Sequence, residues 1–193
     1  MANIAIFGGT FNPFHIGHYE MLNSVCKLCF VDKVFVMPDK IPPHKKCDYI
    51  ADDIHRIEMC RLVCNDFDKA QLCPIEFERE GKSYTLDTVK LLKEKYPHDK
   101  FFIVIGGDML STLDKWYGWQ LLIKLASFIA FKRDGITDFD EAYKRLTDYG
   151  AEIMVIKDTI TDISSTKLRK KIDKNLLPVN VYEYIAEKGI YNV

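Results

Sequence analysis

Asn3 to His18 reads NIAIFGGTFNPFHIGH, and the fold turns on this stretch. Asn3 to Phe7 is a short apolar run of strand type, and it stops at Gly8-Gly9. Glycines placed there let the backbone turn sharply and come close to a ligand. Thr10, an Asn12-Pro13 turn and the pair His15 and His18 follow. A helix is expected from about Gly17 to Phe30, because Met21, Leu22, Val25, Cys26 and Cys29 recur at helical spacing. A strand that passes through glycines into a helix start is an anion cradle. Backbone N–H groups and the positive end of the helix dipole face the same point. The spacing is neither GxxxxGK[ST] nor GxGxxG, which sets aside a P-loop and disfavours a dinucleotide redox fold.

Outward from this stretch, Lys33 to Met37 (KVFVM) is a second buried-type strand, so the chain opens with a strand–helix–strand unit of a parallel sheet. Further helices are expected over about Ile54–Asn65, Ser83–Tyr96, Phe139–Tyr149, Ser164–Ile172 and Val179–Lys188, with short ones between Asp108 and Lys124. Further strands are expected at Ala70–Cys73, Phe101–Ile105, Ser127–Phe131 and Ala151–Ile156, with an edge strand at IEFE after Pro74. This alternation predicts an α/β fold: a Rossmann-like, doubly wound, mainly parallel sheet with helices on both faces. One domain spans 1–193, with the helical segment from about 164 packed onto it. In such sheets ligands sit beyond the carboxyl ends of the strands at the switch point. Gly8-Gly9 and Gly106-Gly107 both follow apolar strands and should border that crevice.

The 193 residues are 48% hydrophobic and 28% charged, with a formal net charge of -1. That balance suits a globular chain and gives no sign of nucleic-acid or membrane attraction. No apolar run is long enough to cross a bilayer, and no signal peptide is visible, so cytoplasm is the expected compartment. Composition leaves a homo-oligomer open. The six cysteines are expected as free thiols. Cys26 and Cys29 form a CxxC with no second half, and both fall on the expected helix stripe, which favours core packing over zinc or redox chemistry.

His15 and His18 are placed to donate hydrogen bonds to phosphate oxygens as charge moves onto a leaving pyrophosphate. A zinc site would need further ligands at readable spacing, and none stands out. Near the other end, ISSTKLR (Ile163–Arg169) puts Ser and Thr at a helix start, with Arg169 one turn in as a multidentate donor. PPHKK (Pro42–Lys46) sets His44 and Lys45 on a loop where a cation can neutralise phosphate. SYTLDT (Ser83–Thr88) reads on its own as an N-cap by Ser83 with a buried Tyr84. In GGDMLSTLDKWYGW (Gly106–Trp119), Asp108 follows a strand end, where a carboxylate can hold a ribose diol. Trp116 can stack on a flat ring, whereas Trp119 reads as core.

The first stretch resembles the HxGH signature of the nucleotidyltransferase superfamily that shares the HIGH motif, and ISSTKLR resembles its ISSTxxR element. Together with PPHK, SYTLDT and GGDMLSTLDKW, the chain resembles the bacterial nicotinate mononucleotide adenylyltransferases over nearly its whole length. Many superfamily members have Asp where this chain has Asn12, which is expected to cap the turn equally well. The shorter phosphopantetheine adenylyltransferases lack the SYT and DKW elements. A non-catalytic nucleotide sensor is the other alternative, and the intact HxGH and SSTxxR argue against it.

The resemblance implies adenylyl transfer from ATP to nicotinate mononucleotide by direct in-line attack, with no covalent enzyme intermediate and no general base. Gly8, Gly9 and Thr10 then shape the cradle, and His15, His18, Lys45 and Arg169 are catalytic. Ser165 and Thr166 hold the ATP tail, Gly106 and Asp108 position ribose, and Gly17 leaves room for adenine. His44, Thr85, Trp116 and Tyr117 face the mononucleotide. Mg²⁺ is expected to arrive with ATP, and no dedicated protein metal site is expected.

Overall fold

The structure is a computed structural model and describes residues 1–40, 50–78, 81, 83–132 and 138–192. Six strands form one parallel sheet: β1 (Asn3–Gly9), β2 (Lys33–Pro38), β3 (Ala70–Leu72), β4 (Lys100–Gly106), β5 (Ser127–Phe131) and β6 (Ile153–Ile156). Their order across the sheet is β3-β2-β1-β4-β5-β6. The helices among the described residues are α1 (Ile16–Lys27), α2 (Asp53–Cys64), α3 (Thr85–Lys95), α4 (Gly107–Leu110), α5 (Trp119–Leu125), α6 (Phe139–Asp148), α7 (Ser165–Lys170) and α8 (Val179–Lys188).

The strands read as unbroken apolar runs because both faces of the sheet are covered. Alternate side chains go to opposite faces. Ala5, Phe7, Val34, Val36, Val104, Ile129 and Phe131 pack with Leu22 of α1, Val63 of α2 and Val181 of α8. Ile4, Ile6, Phe35, Met37, Ile103, Ile105 and Phe128 pack with Val89 of α3, Leu122 of α5 and Leu146 of α6. Leu168 of α7 joins the first cluster.

The strand order positions the site. From β1 the chain winds outward through β2 to β3, then crosses to β4 and winds the other way. The crossovers of the two halves therefore cover opposite faces. The pairing of β1 with β4 ends at Ile6 and Ile103, whereas the pairing with β2 continues to Gly9 and Pro38. Past Ile6 the two central strands separate, and Gly8-Gly9 and Gly106-Gly107 flank the opening.

Three local expectations are corrected. The IEFE segment is a 3₁₀ turn, Ile75–Glu78, and not an edge strand. Its alternation mimics a strand, but Pro74 starts a turn that Phe77 N–H closes onto the Pro74 carbonyl at 3.0 Å. Glu76 points inward and accepts from the Thr88 hydroxyl at 2.8 Å. Cys29 lies beyond the end of α1 and is exposed, while Cys26 packs partly buried against the first cluster. Ser83 does not cap α3: its hydroxyl accepts from Lys40 N–H at 3.2 Å, and Tyr84 occupies the cap position without a side-chain bond.

Burial pushes the Cys26 thiol up to about 11 and the Cys64 thiol up to about 12, and holds Cys60 well above 9.0. The folded chain keeps these protons where the unfolded chain releases them. Their stabilisation is complete below the unfolded thiol pKa and is lost as pH rises from about 9 towards 12. A Cys60→Ala, Cys64→Ala variant should therefore show a shallower fall in denaturation midpoint between about pH 8 and about pH 10.5 than the parent. Parallel curves would show that these thiols do not set the alkaline limit.

Candidate active site

The turn after β1 is the centre of the site, and its carbonyl oxygens are bound into the protein. Arg56, fully buried on the inner face of α2, donates through Nη1 to the Thr10 carbonyl at 3.0 Å and to the Asp39 carbonyl at 2.6 Å. Its Nη2 is paired with Asp53. Asp39 N–H donates to the Gly9 carbonyl at 2.9 Å. Arg169 Nη1 donates to the Asn12 carbonyl at 2.9 Å, and Ser165 Oγ to the Pro13 carbonyl at 3.1 Å. Asn12 is joined to Pro13 by a cis peptide bond, and Phe11 is left-handed at φ 47°. In a trans peptide N–H points opposite to C=O, so fixing the Thr10 carbonyl on Arg56 aims the Phe11 N–H the other way.

The Asn12 side chain reaches beyond its own turn. Its Oδ1 accepts from Ala51 N–H at 3.1 Å and from the Tyr191 hydroxyl at 2.6 Å. It fastens the turn to segments far along the chain. Both bonds need only an acceptor oxygen, which an Asp would supply equally.

His15 and His18 form a reciprocal cap at the start of α1. His15 Nδ1 accepts from His18 N–H and His18 Nδ1 from His15 N–H, each at 3.3 Å. With both Nδ1 atoms used as acceptors, the proton of each neutral ring sits on Nε2, which makes each ring a donor there. The rings stack with centroids 3.6 Å apart and 12° between planes. Phe7, Phe11 and Phe14 surround His18. No acidic residue occupies the first turn of α1 or of α7. A surface concavity between α2 and α8 is lined by Glu58, Glu183 and Glu187 against one cation, Lys188, a net negative charge that disfavours a phosphate.

The start of α7 lies against this turn. Ser164 caps it by accepting from Lys167 N–H at 3.3 Å, and Arg169 Nη2 donates to Thr166 Oγ1 at 3.3 Å. Gly17 owes its smallness to this approach: a Cβ there would stand 2.8 Å from the Thr161 carbonyl and 3.4 Å from the His15 ring. That is a packing reason, different from the adenine space expected of it. Glu20 completes the junction, accepting from Thr161 N–H at 2.6 Å and from the Thr161 hydroxyl at 2.9 Å.

On the other side of the opening, Gly106 ends β4, and Asp108 is exposed in the first turn of α4. An added Cβ on Gly106 would meet Asp108 Oδ1 at 2.7 Å, so the carboxylate folds back over the strand end. SYTLDT and KWYGW are brought together: the Tyr84 and Tyr117 rings are 4.9 Å apart, and Gly118 packs on Leu86. Thr85 opens α3 and Tyr117 is exposed. Trp116 and Trp119 both pack, partly buried, against the second apolar cluster. Lys45 and His44 lie outside the described residues.

Arg56, Glu20, Asp39 and Tyr191 were not singled out from sequence. The signal for Arg56 was present: it stands on the inward stripe of α2 with Met59, Cys60 and Val63, a cation at a core position.

The opening at the switch point of the doubly wound sheet is thus rimmed by HxGH on one side and SSTxxR beside it. The cytidylyltransferase-like family model matches residues 6–171. The nicotinate-nucleotide adenylyltransferase of Bacillus subtilis is 39% identical over 199 residues, covering 99% of both chains. The nicotinic acid mononucleotide adenylyltransferase of Plasmodium falciparum shares the fold in two structures at 23% identity. One is complexed with NaAD (TM-score 0.82) and one with APC (TM-score 0.81), and each match covers 100% of this chain and 98% of the other. The chain belongs to the cytidylyltransferase-like family, and within it to the nicotinate-nucleotide adenylyltransferases, enzymes of NAD biosynthesis.

Replacing Asn12 by Ala leaves the Ala51 N–H and Tyr191 O–H donors without their acceptor. The expected loss is about 1–3 kcal/mol of unfolding free energy, with a clearly smaller loss for Asn12→Asp, read by denaturant titration. Equal losses would remove the acceptor role. Gly17→Ala should displace the Thr161 segment and raise the ATP requirement while the melting curve stays cooperative. An unchanged ATP requirement would mean that the segment adjusts without consequence.

Proposed function

We propose that the chain transfers the adenylyl group of ATP to nicotinate mononucleotide, giving deamido-NAD and pyrophosphate. The observation that carries this reading is the junction of two elements across the sheet opening. The HxGH turn and the start of α7 meet through Arg169, Ser165 and Gly17, opposite the SYT and WYG elements. The full-length likeness to nicotinate-nucleotide adenylyltransferases supports it.

In this reading a phosphate oxygen of the mononucleotide attacks the α-phosphorus of ATP in line. The bond from that phosphorus to the bridging oxygen breaks, and pyrophosphate leaves with the electron pair. The attacking phosphate monoester is already ionised near neutral pH, so positioning and charge stabilisation carry the catalysis. Gly8, Gly9 and Thr10 form the wall of the cradle. His15 and His18 donate from Nε2 to oxygens that gain charge. Arg169, Ser165 and Thr166 hold the outer phosphates, Arg169 through guanidinium N–H groups other than the one on the Asn12 carbonyl, Ser165 and Thr166 through their backbone N–H groups at the start of α7. Lys45 and His44 steady the reacting phosphates, Asp108 and Gly106 position ribose, and Thr85, Trp116 and Tyr117 face the pyridine end.

Among the described residues no group of three or more His, Cys, Asp or Glu side chains is placed to hold a metal ion. Mg²⁺ enters on the ATP phosphates as part of the substrate, where it would screen their charge. The cytoplasm is the proposed compartment.

Pyrophosphate release from Mg-ATP, with nicotinate and nicotinamide mononucleotide tested side by side, checks the reaction. Faster turnover with the acid is expected; preference for the amide would overturn the specificity, and silence with both would overturn the reaction. His18→Ala should lower turnover by about 100-fold or more with little change in mononucleotide affinity. Near-normal turnover in the folded variant would remove His18 from the phosphate chemistry.

A further inference from the structure

We infer that Arg56 is a positioning residue for phosphate binding, acting through the backbone of Thr10 and Phe11; this rests on the adenylyl-transfer reading for its catalytic readout.

Arg56 is 0% exposed, and it bridges three segments that the site requires. One terminal nitrogen holds the carbonyls of Thr10, in the turn after β1, and of Asp39, just past β2. The other is paired with Asp53 at the start of α2. A further link ties the same two loops, where Thr10 Oγ1 donates to Asp39 Oδ2 at 3.5 Å.

A merely structural brace would not be built this way. A buried cation carries a desolvation cost that an apolar side chain of similar volume avoids. Arg56 also leaves Nε buried with no hydrogen-bond partner among the described residues. The guanidinium fork spreads these three bonds over two terminal nitrogens, a span that the single ammonium of a Lys lacks.

The consequence lies on the far side of the Thr10–Phe11 peptide. Phe11 sits at φ 47°, a conformation unfavourable for a side chain of its kind. Holding the Thr10 carbonyl on a cation stabilises that turn and fixes the Phe11 N–H on the side opposite Arg56. Arg56 thus converts a peptide group into a fixed phosphate donor without touching the phosphate.

The test compares the parent with Arg56→Lys and Arg56→Ala. Melting curves are recorded for each, and everything else is measured well below the melting temperature of each variant. Two readouts are taken: turnover per folded molecule, and the dissociation constant for inorganic pyrophosphate by calorimetry. Both variants are expected to lose turnover by about 100-fold and to bind pyrophosphate at least about tenfold more weakly. Guanidinium ion added to Arg56→Ala, far below denaturing concentration, should restore part of both, and methylammonium should not. Folded variants with turnover and pyrophosphate affinity near those of the parent would overturn the proposal, even if their melting temperatures fall. Full retention in Arg56→Lys would overturn it too, since charge alone would then suffice. If the parent binds pyrophosphate but transfers nothing, the reaction proposed above fails, and the pyrophosphate ratio still decides the role of Arg56. A parent that binds no pyrophosphate overturns it.

Discussion

Everything at the crevice depends on one constraint: four carbonyl oxygens of the turn, those of Gly9, Thr10, Asn12 and Pro13, are bound by the protein itself. A turn at a strand end exposes acceptors and donors together, and exposed acceptors would repel phosphate. Here Asp39 N–H takes the Gly9 carbonyl, Arg56 the Thr10 carbonyl, Arg169 the Asn12 carbonyl and Ser165 the Pro13 carbonyl. Those four acceptors are turned to donors of the protein, which favours a donor character at the opening.

The same bonds divide labour between the two halves of the fold. Arg56 belongs to α2, in the half that winds outward from β1. Arg169 and Ser165 belong to α7, reached only after the chain has completed β6 and crossed back. The turn is therefore clamped from both ends of the topology, and its shape reports on the whole sheet. Glu20 and Gly17 extend this logic along α1: a carboxylate grips Thr161, and a missing side chain admits its carbonyl. The helix that carries His18 and the segment that leads into α7 are consequently fastened to each other.

The central strands were legible because their signal is local. Phe101 to Ile105 is apolar at every position, as a strand covered on both faces must be. HxGH and SSTxxR were legible for a related reason: each is a short spacing that places donors at a helix start. The bonds that unite them were not, because they join residues far apart in the chain. Arg56 and Thr10 are 46 positions apart, Arg169 and Asn12 157, and no local period encodes either. IEFE misled because alternation is the mark of a strand, while Pro74 and the pull of Thr88 on Glu76 turn the same residues into a 3₁₀ turn. Cys29 misled because the apolar stripe outlasts the helix that it was read from: α1 stops at Lys27. His44 and Lys45 lie outside the described residues, so their expected roles rest on resemblance alone.

The bond from the Tyr191 hydroxyl to Asn12 spans 179 positions, and this imposes an order on the making of the enzyme. A ribosome adding about 5–20 residues per second needs roughly 10 to 35 s to pass from one partner to the other. All six strands have been synthesised by Ile156, well before that interval closes. A chain arrested between β6 and Tyr191 therefore contains every strand of its sheet but lacks one of the two donors that fasten Asn12. Chains that stop before Tyr191 would carry a loosened turn at Asn12 inside a sheet whose described strands are already made.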